Sequence, residues 1–142
     1  MSSDVPMGLA LMLCDTIIED RFTGKKSLIG LFSQIHAQKI PCIHQSMMLL
    51  VSMTSGQGTY SCEIVFEHAD LPKPVFRTEC PLTFENPFQV VDLVYQLKIV
   101  RFPLPGKYWI KVNIDGVSVM MRPLMVLPKK QEDKKPKEEE GK

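Results

Sequence analysis

Few residues in this sequence can do chemistry, and their spacing limits what that chemistry is. Asp15, Glu19 and Asp20 stand close together near the start. With a histidine they would make a metal site or a general base. Their ordinary role is to accept hydrogen bonds from turn amides or to pair with Lys25 or Lys26. Calcium binding needs several carboxylates converging from neighbouring loops. The other acids considered, Asp70, Asp92 and Asp115, are scattered. The trio is therefore a weak metal candidate, and no cofactor is expected. His36 and His44 flank Pro41, with Cys42 between them. Tetrahedral zinc there would need a fourth, distant ligand. Cys14, Cys42, Cys62 and Cys80 form no C-x-x-C pair, so zinc-knuckle and thiol-redox motifs are absent. Their apolar neighbours suit buried free thiols in a reducing compartment. No G-x-S-x-G, H-E-x-x-H or phosphate-binding glycine loop occurs. The expectation is a protein that is not an enzyme.

Trp109, Lys111, Met120 and Arg122 carry more information. Lys107 to Ile114 alternates, with Tyr108, Ile110, Val112 and Ile114 on one face. Asp115-Gly116 then supplies a two-residue hairpin turn, which fixes the register. Plain alternation pairs Ile114 with Val117, Val112 with Val119 and Ile110 with Met121 inward. It pairs Asn113 with Ser118, Lys111 with Met120 and Trp109 with Arg122 outward. Trp, Met and Arg are enriched at interface cores, so this face is the expected protein-contact patch, with a Trp109–Arg122 cation–π pair.

The elements around these residues read as strands. Thr59 to Glu67 alternates, with Val65 the exception, and follows the turn Ser55 to Gly58. Ser46 to Thr54 is a continuous apolar run, which suits a strand covered on both faces. Leu9 to Ile18 reads as a central strand. Ser27 to Ile35 follows the turn at Gly24, with Gly30 marking a bulge or close approach. Val75 to Phe84 is a strand whose end Pro81 places at an edge or a bulge. Asn86 to Leu93 offers the one site for a helical turn. Phe88 to Phe102 holds one long strand or two short ones, and Gly106 ends a tight linker into the last hairpin. About eight closely spaced strands make an all-β fold, a single antiparallel β-sandwich.

Charge divides the 142 residues unevenly. Of 17 basic and 16 acidic residues, 6 and 5 lie in residues 128–142, leaving 11 of each in the body. A neutral body argues against nucleic-acid binding. No apolar run reaches the roughly 18 residues of a membrane span. Asp4 and the lack of Lys or Arg before Met7 argue against a secretory signal, so a cytoplasmic protein is expected. Residues 1–8 are expected to be flexible, 9–127 to form the sandwich, and 128–142 to be a disordered Lys/Glu-rich tail.

Leu13-Cys14-Asp15, Thr23-Gly24-Lys25 and Ser27 to Phe32 at the front, with Pro105 to Tyr108, Val112 and Asp115-Gly116 at the back, form a recurring pattern. It resembles a family of short bacterial single-domain β proteins of unknown function, "CD…GK.SLIG.F" followed by "G.Y…V..DG". The resemblance covers roughly residues 9–127 and implies a compact β-sandwich with no assigned activity. The functional expectation is a non-catalytic interaction or assembly module. It would contact a protein partner or a second copy through a sheet edge or the Trp109 face. The alternatives are a metal-dependent binder or enzyme using Asp15, Glu19 and Asp20 with a histidine, and a calcium- or lipid-docking module, for example through Phe102 to Leu104.

Overall fold

The computed structural model describes residues 5–129. Nine strands are present: β1 (Met7–Glu19), β2 (Lys26–Leu31), β3 (Gln34–Ala37), β4 (Cys42–Thr54), β5 (Gly58–His68), β6 (Phe76–Phe84), β7 (Val90–Phe102), β8 (Gly106–Ile114) and β9 (Val117–Pro128). They form a four-stranded sheet in the order β2-β1-β4-β7 and a five-stranded sheet in the order β3-β9-β8-β5-β6. Their inward side chains share one core, with Leu13, Leu49 and Val51 from one sheet facing Ile64, Phe66 and Ile110 from the other. The all-β sandwich is as expected, with one strand more. Residues 130–142, most of the expected tail, lie outside the described residues, as do residues 1–4. β1 begins at Met7, inside the stretch expected to be flexible.

The extra strand arises where the chain changes sheets. Ser27 to Ile35 is two strands, not one. Phe32 N–H donates to Leu13 O at 3.1 Å, continuing the β1 ladder, and Met125 N–H donates to Ser33 O at 3.0 Å, opening the β3–β9 ladder. The chain reaches β9 from the opposite sheet, so β3 runs parallel to it. The sandwich is therefore not wholly antiparallel. Asn86 to Gln89 is a turn, without a helix, and β7 is one long strand with Ile99 at φ 57°. β6 is an edge strand, one of the two settings Pro81 allowed.

The final hairpin departs from plain alternation after two pairs. Ile114 opposes Val117 and Asn113 opposes Ser118, but Val112 opposes Met120. Val119 is the extra residue of a β-bulge. Each later partner moves by one, so Lys111 opposes Met121, Ile110 opposes Arg122 and Trp109 opposes Pro123.

Two devices close the sides of the sandwich. On one side Arg122 turns inward, and its Nη1 donates to Leu11 O at 2.6 Å. That half of β1 has no β2 partner, because β2 pairs only from Cys14 onward. The guanidinium therefore caps an open strand edge. On the other side Tyr95 of β7 reaches the β5–β6 pair, with its hydroxyl 3.1 Å from Cys80 Sγ and 3.4 Å from Cys62 Sγ. Phe102 packs in the core, 5.0 Å between ring centroids from Tyr108. Tyr108 donates its hydroxyl to Leu104 O at 2.6 Å, tying down the linker before β8. Phe102 is thus no surface anchor for a membrane.

Candidate functional site

The three front carboxylates do not converge. Asp15 lies within β1 and Asp20 just beyond its end, five residues along an extended chain, or about 16 Å. Asp20 shapes the β1–β2 turn. Its Oδ1 accepts from Phe22 N–H at 2.8 Å and Thr23 N–H at 3.0 Å. The Thr23 and Phe22 amides hold its carboxyl below the usual range. Glu19 stands opposite Lys26 in the β1–β2 ladder. Gly24, at φ 74°, completes the same turn.

Asp15 instead meets residues from other strands. It lies over Gly30, where φ is 76° and a Cβ would collide with the Asp15 carboxylate. This explains the glycine twice, by conformation and by space. Asp15, Gly30, Phe32, His36 and His44 line a cleft of about 340 Å³. It opens because β1 pairs with β4 only as far as Cys14–Met48, leaving the first residues of β4 uncovered on that side. His44 belongs to β4. Burial pushes its pKa down, opposed by the charge of Asp15 and a hydrogen bond with the Ser46 backbone. The Phe32 ring lies 5.8 Å from it. Among the described residues, no three His, Cys, Asp or Glu side chains are arranged to hold a metal. No local sequence signal joins Asp15 to His44, because the pairing runs through the β1–β4 register.

The four residues of the expected contact patch do not share a face. Trp109 and Lys111 face outward on the five-stranded sheet, while Arg122 faces inward and Met120 packs against the core. The bulge at Val119 is the cause. The cation over Trp109 is Lys107, with Nζ 5.0 Å from the ring centroid, and not Arg122. Lys111 pairs with Glu67 at 2.7 Å, and Arg77 pairs with Glu63. Val65, the apolar exception in its strand, is buried between Arg77 and Lys111 in the register. Their long stems suit the role of its cover. This face is already satisfied within the molecule. Gly106, Asp115 and Gly116 all adopt positive φ at their turns. The Asp115 carboxylate accepts from Ser61 N–H at 2.8 Å.

The outer face of the four-stranded sheet is different. The register lays Met12, Leu50 and Val94 in one row across β1, β4 and β7, and Leu31, Cys14 and Met48 in the next across β2, β1 and β4. Ile29 extends the surface at the β2 edge. Leu31 is 55 % exposed, Ile29 47 % and Val94 39 %. The sequence does carry a signal for this face. Met7 to Cys14 and Met47 to Val51 are apolar on both sides, the mark of strands covered on both faces. Among the described residues, only one face is covered.

A family model for proteins of unknown function matches residues 9–127. The chain belongs to that family, DUF6941. The match spans the sandwich from β1 through β9 and assigns no activity. No curated protein matches the chain. Among solved structures, a β-glucosidase from Listeria innocua in complex with isofagomine is similar, with TM-score 0.50 and 9 % identity over 91 % of this chain. The same enzyme in complex with glucose gives TM-score 0.49 and 9 % identity over 84 % of this chain. The aligned region is 17 % and 16 % of those chains, so this chain spans about one-sixth of the enzyme's length. At that identity the likeness shows a shared fold alone.

Proposed function

We propose that this DUF6941 protein is a non-catalytic assembly module that pairs with a second copy of itself through the outer face of the four-stranded sheet. The observation that carries this reading is the apolar row Met12, Leu50 and Val94, over which none of the described strands packs. From Met12 to Ile18 β1 runs about 20 Å, and the face is two to three strands wide, about 10 Å, because β2 pairs with β1 only from Cys14 onward and β4 only as far as Cys14. Two such faces together bury on the order of 400 Å², below the area of a stable interface, so the dimer is weak and concentration-dependent. A neutral body favours a second copy, because like meets like without charge repulsion. The free thiols Cys14, Cys42, Cys62 and Cys80 fit a reducing cytoplasm.

Light scattering or sedimentation over a wide concentration range tests the proposal. A monomer–dimer transition abolished by Leu50→Asp is the expected result. A monomer at every concentration would overturn it.

A second reading follows from the cleft at Asp15 and His44, a half-buried histidine beside a carboxylate. It would make the module a metal-dependent binder, and elemental analysis tests it. Stoichiometric metal in the wild type, lost in His44→Ala, would favour it. Membrane docking has less behind it. Phe22 and Phe88 are each 90 % exposed. They lie at opposite ends of the sandwich, since β1 and β7 run in the same direction on either side of β4. No helix among the described residues is long and apolar enough to cross a membrane.

A further inference from the structure

Cys62 and Cys80 stand directly opposite each other on β5 and β6. Both belong to the inward-facing set of their strands. Cys62 is fully buried and Cys80 half-buried. The type of rung they share follows from their neighbours. Ser61 N–H donates to Asp115 Oδ1 at 2.8 Å, and the Ser61 carbonyl accepts from Asp115 N–H at 2.9 Å. Its backbone therefore faces away from β6, and its opposite number there, Pro81, has no N–H to offer. The next rung, Cys62–Cys80, is then the hydrogen-bonded type, with Cα atoms about 5.5 Å apart. Disulfides span Cα separations of about 4.4–6.8 Å. The Tyr95 hydroxyl lies within hydrogen-bond distance of both sulfurs, 3.1 Å from Cys80 and 3.4 Å from Cys62. A surface cleft of about 440 Å³, lined by Thr59, Tyr60, Glu79 and Pro81, reaches Cys80.

We propose that Cys62, Cys80 and Tyr95 form a redox-responsive site, in which a hydroperoxide converts the two thiols to an intrachain disulfide. The Cys80 sulfur attacks the terminal oxygen of the hydroperoxide. The O–O bond breaks, giving Cys80 sulfenic acid and the alcohol, or water when the oxidant is hydrogen peroxide. The Cys62 sulfur then attacks the Cys80 sulfur, the S–O bond breaks, and water leaves. The Cys62 proton passes to the departing oxygen through the Tyr95 hydroxyl. Two thiols are oxidised by two electrons, and the peroxide is reduced by two. Exposure sets the order, since the cleft reaches Cys80 whereas Cys62 is sealed in the core. Burial and both thiols push the Tyr95 phenol further above its ordinary range, so it stays protonated and able to relay. A directly opposed cross-strand bridge suits a labile, reversible disulfide better than a structural one. The site does not depend on how the module assembles.

The test uses the full chain carrying Cys14→Ser and Cys42→Ser, treated with hydrogen peroxide while folded. The expected result is loss of both remaining thiols, a Cys62–Cys80 crosslinked peptide in a non-reduced digest, and full recovery with a dithiol reductant. Adding Cys80→Ser is expected to leave Cys62 reduced over the same interval. Adding Tyr95→Phe is expected to slow the second step on the order of 10²-fold, so that a sulfenic acid at Cys80 becomes trappable by a dione reagent. Retained thiols, or Cys80 advancing to sulfinic acid without a crosslink, would overturn the proposal. So would oxidation of Cys62 when Cys80 is absent. An unchanged second step in Tyr95→Phe would remove the relay.

Discussion

The outer faces of the two sheets are built on opposite plans. On the five-stranded sheet, Glu63 meets Arg77, Glu67 meets Lys111, and Lys107 sits over Trp109. Asn113 Nδ2 donates to Glu63 Oε1 at 3.0 Å, and its bond and the Arg77 charge keep that carboxyl low. Every long polar side chain in this group has a partner within the face. On the four-stranded sheet, Met12, Leu50, Val94, Ile29 and Leu31 stand side by side. Polar residues rim that patch: Ser52 donates to Asp92 Oδ1 at 2.6 Å, Gln96 stands opposite Met48 and Lys98 opposite Ser46. The aromatic and cationic residues that look most like an interface in a sequence are the ones already engaged at home. The aliphatic residues that look like core form a face that no described strand covers, with Arg122 Nη1 at its rim 3.6 Å from Met12 Sδ. Residue type alone does not mark a contact surface. What marks it is apolar area whose partner is missing.

The contrast can be broken most sharply at Leu50. Leu50→Asp places a charge at the centre of the open face and is expected to raise the dimer dissociation constant about 100-fold, near 2.7 kcal/mol, with little loss of monomer stability. Sedimentation velocity measures the first and urea unfolding the second. An equal loss in both would make Leu50 a core residue. Gly30→Ala tests the corner where the chain leaves one sheet for the other. Positive φ and the Asp15 carboxylate together are expected to cost about 2 kcal/mol, seen as a lower urea midpoint.

His44 sits between the two faces, in the side cleft. Its folded pKa lies below its ordinary value of 6.5, so protonation favours the unfolded chain. The stability it contributes is present above about 6.5 and is lost as pH falls through the lowered value. His44→Gln should flatten stability against pH in that acidic window, and equal slopes for both proteins would refute the assignment. On the charged face, Lys111→Ala is expected to change stability by no more than about 0.5 kcal/mol and to leave association untouched. The smallest effect belongs to Trp109. Dilution through the dimer transition should not move its emission, because it lies on the sheet face opposite the contact. A shift that tracks dissociation would put the interface on the wrong sheet.

Much of the fold is legible in the residues. Asp115-Gly116 marks the last turn, alternation in Thr59 to Glu67 marks β5, and Pro81 marks an edge. The bulge at Val119 is not legible. Residues 119–121 are Val, Met and Met, so an inserted residue leaves the apolar pattern unbroken and the parity change silent. The candidate site is harder still. Asp15 and His44 meet because β1 parts from β4 at Cys14, a fact of register between distant strands. The Cys62–Cys80 rung has the same origin. The open face is half legible, since doubly apolar strands announce two covers but cannot say whether the second comes from the same chain.

The bulge in β9 also gives that strand one residue in reserve. Deleting Val119 would leave Asn113 opposite Ser118, Val112 opposite Met120 and Ile110 opposite Arg122 in an unbroken ladder, so every later residue would keep its partner and its face. Arg122 would still reach the Leu11 carbonyl, and Leu124 and Val126 would still face the core. What would be lost is the local bend and added twist. Losing a second residue before Arg122 would have no bulge to absorb it, and it would reverse inside and outside for everything beyond.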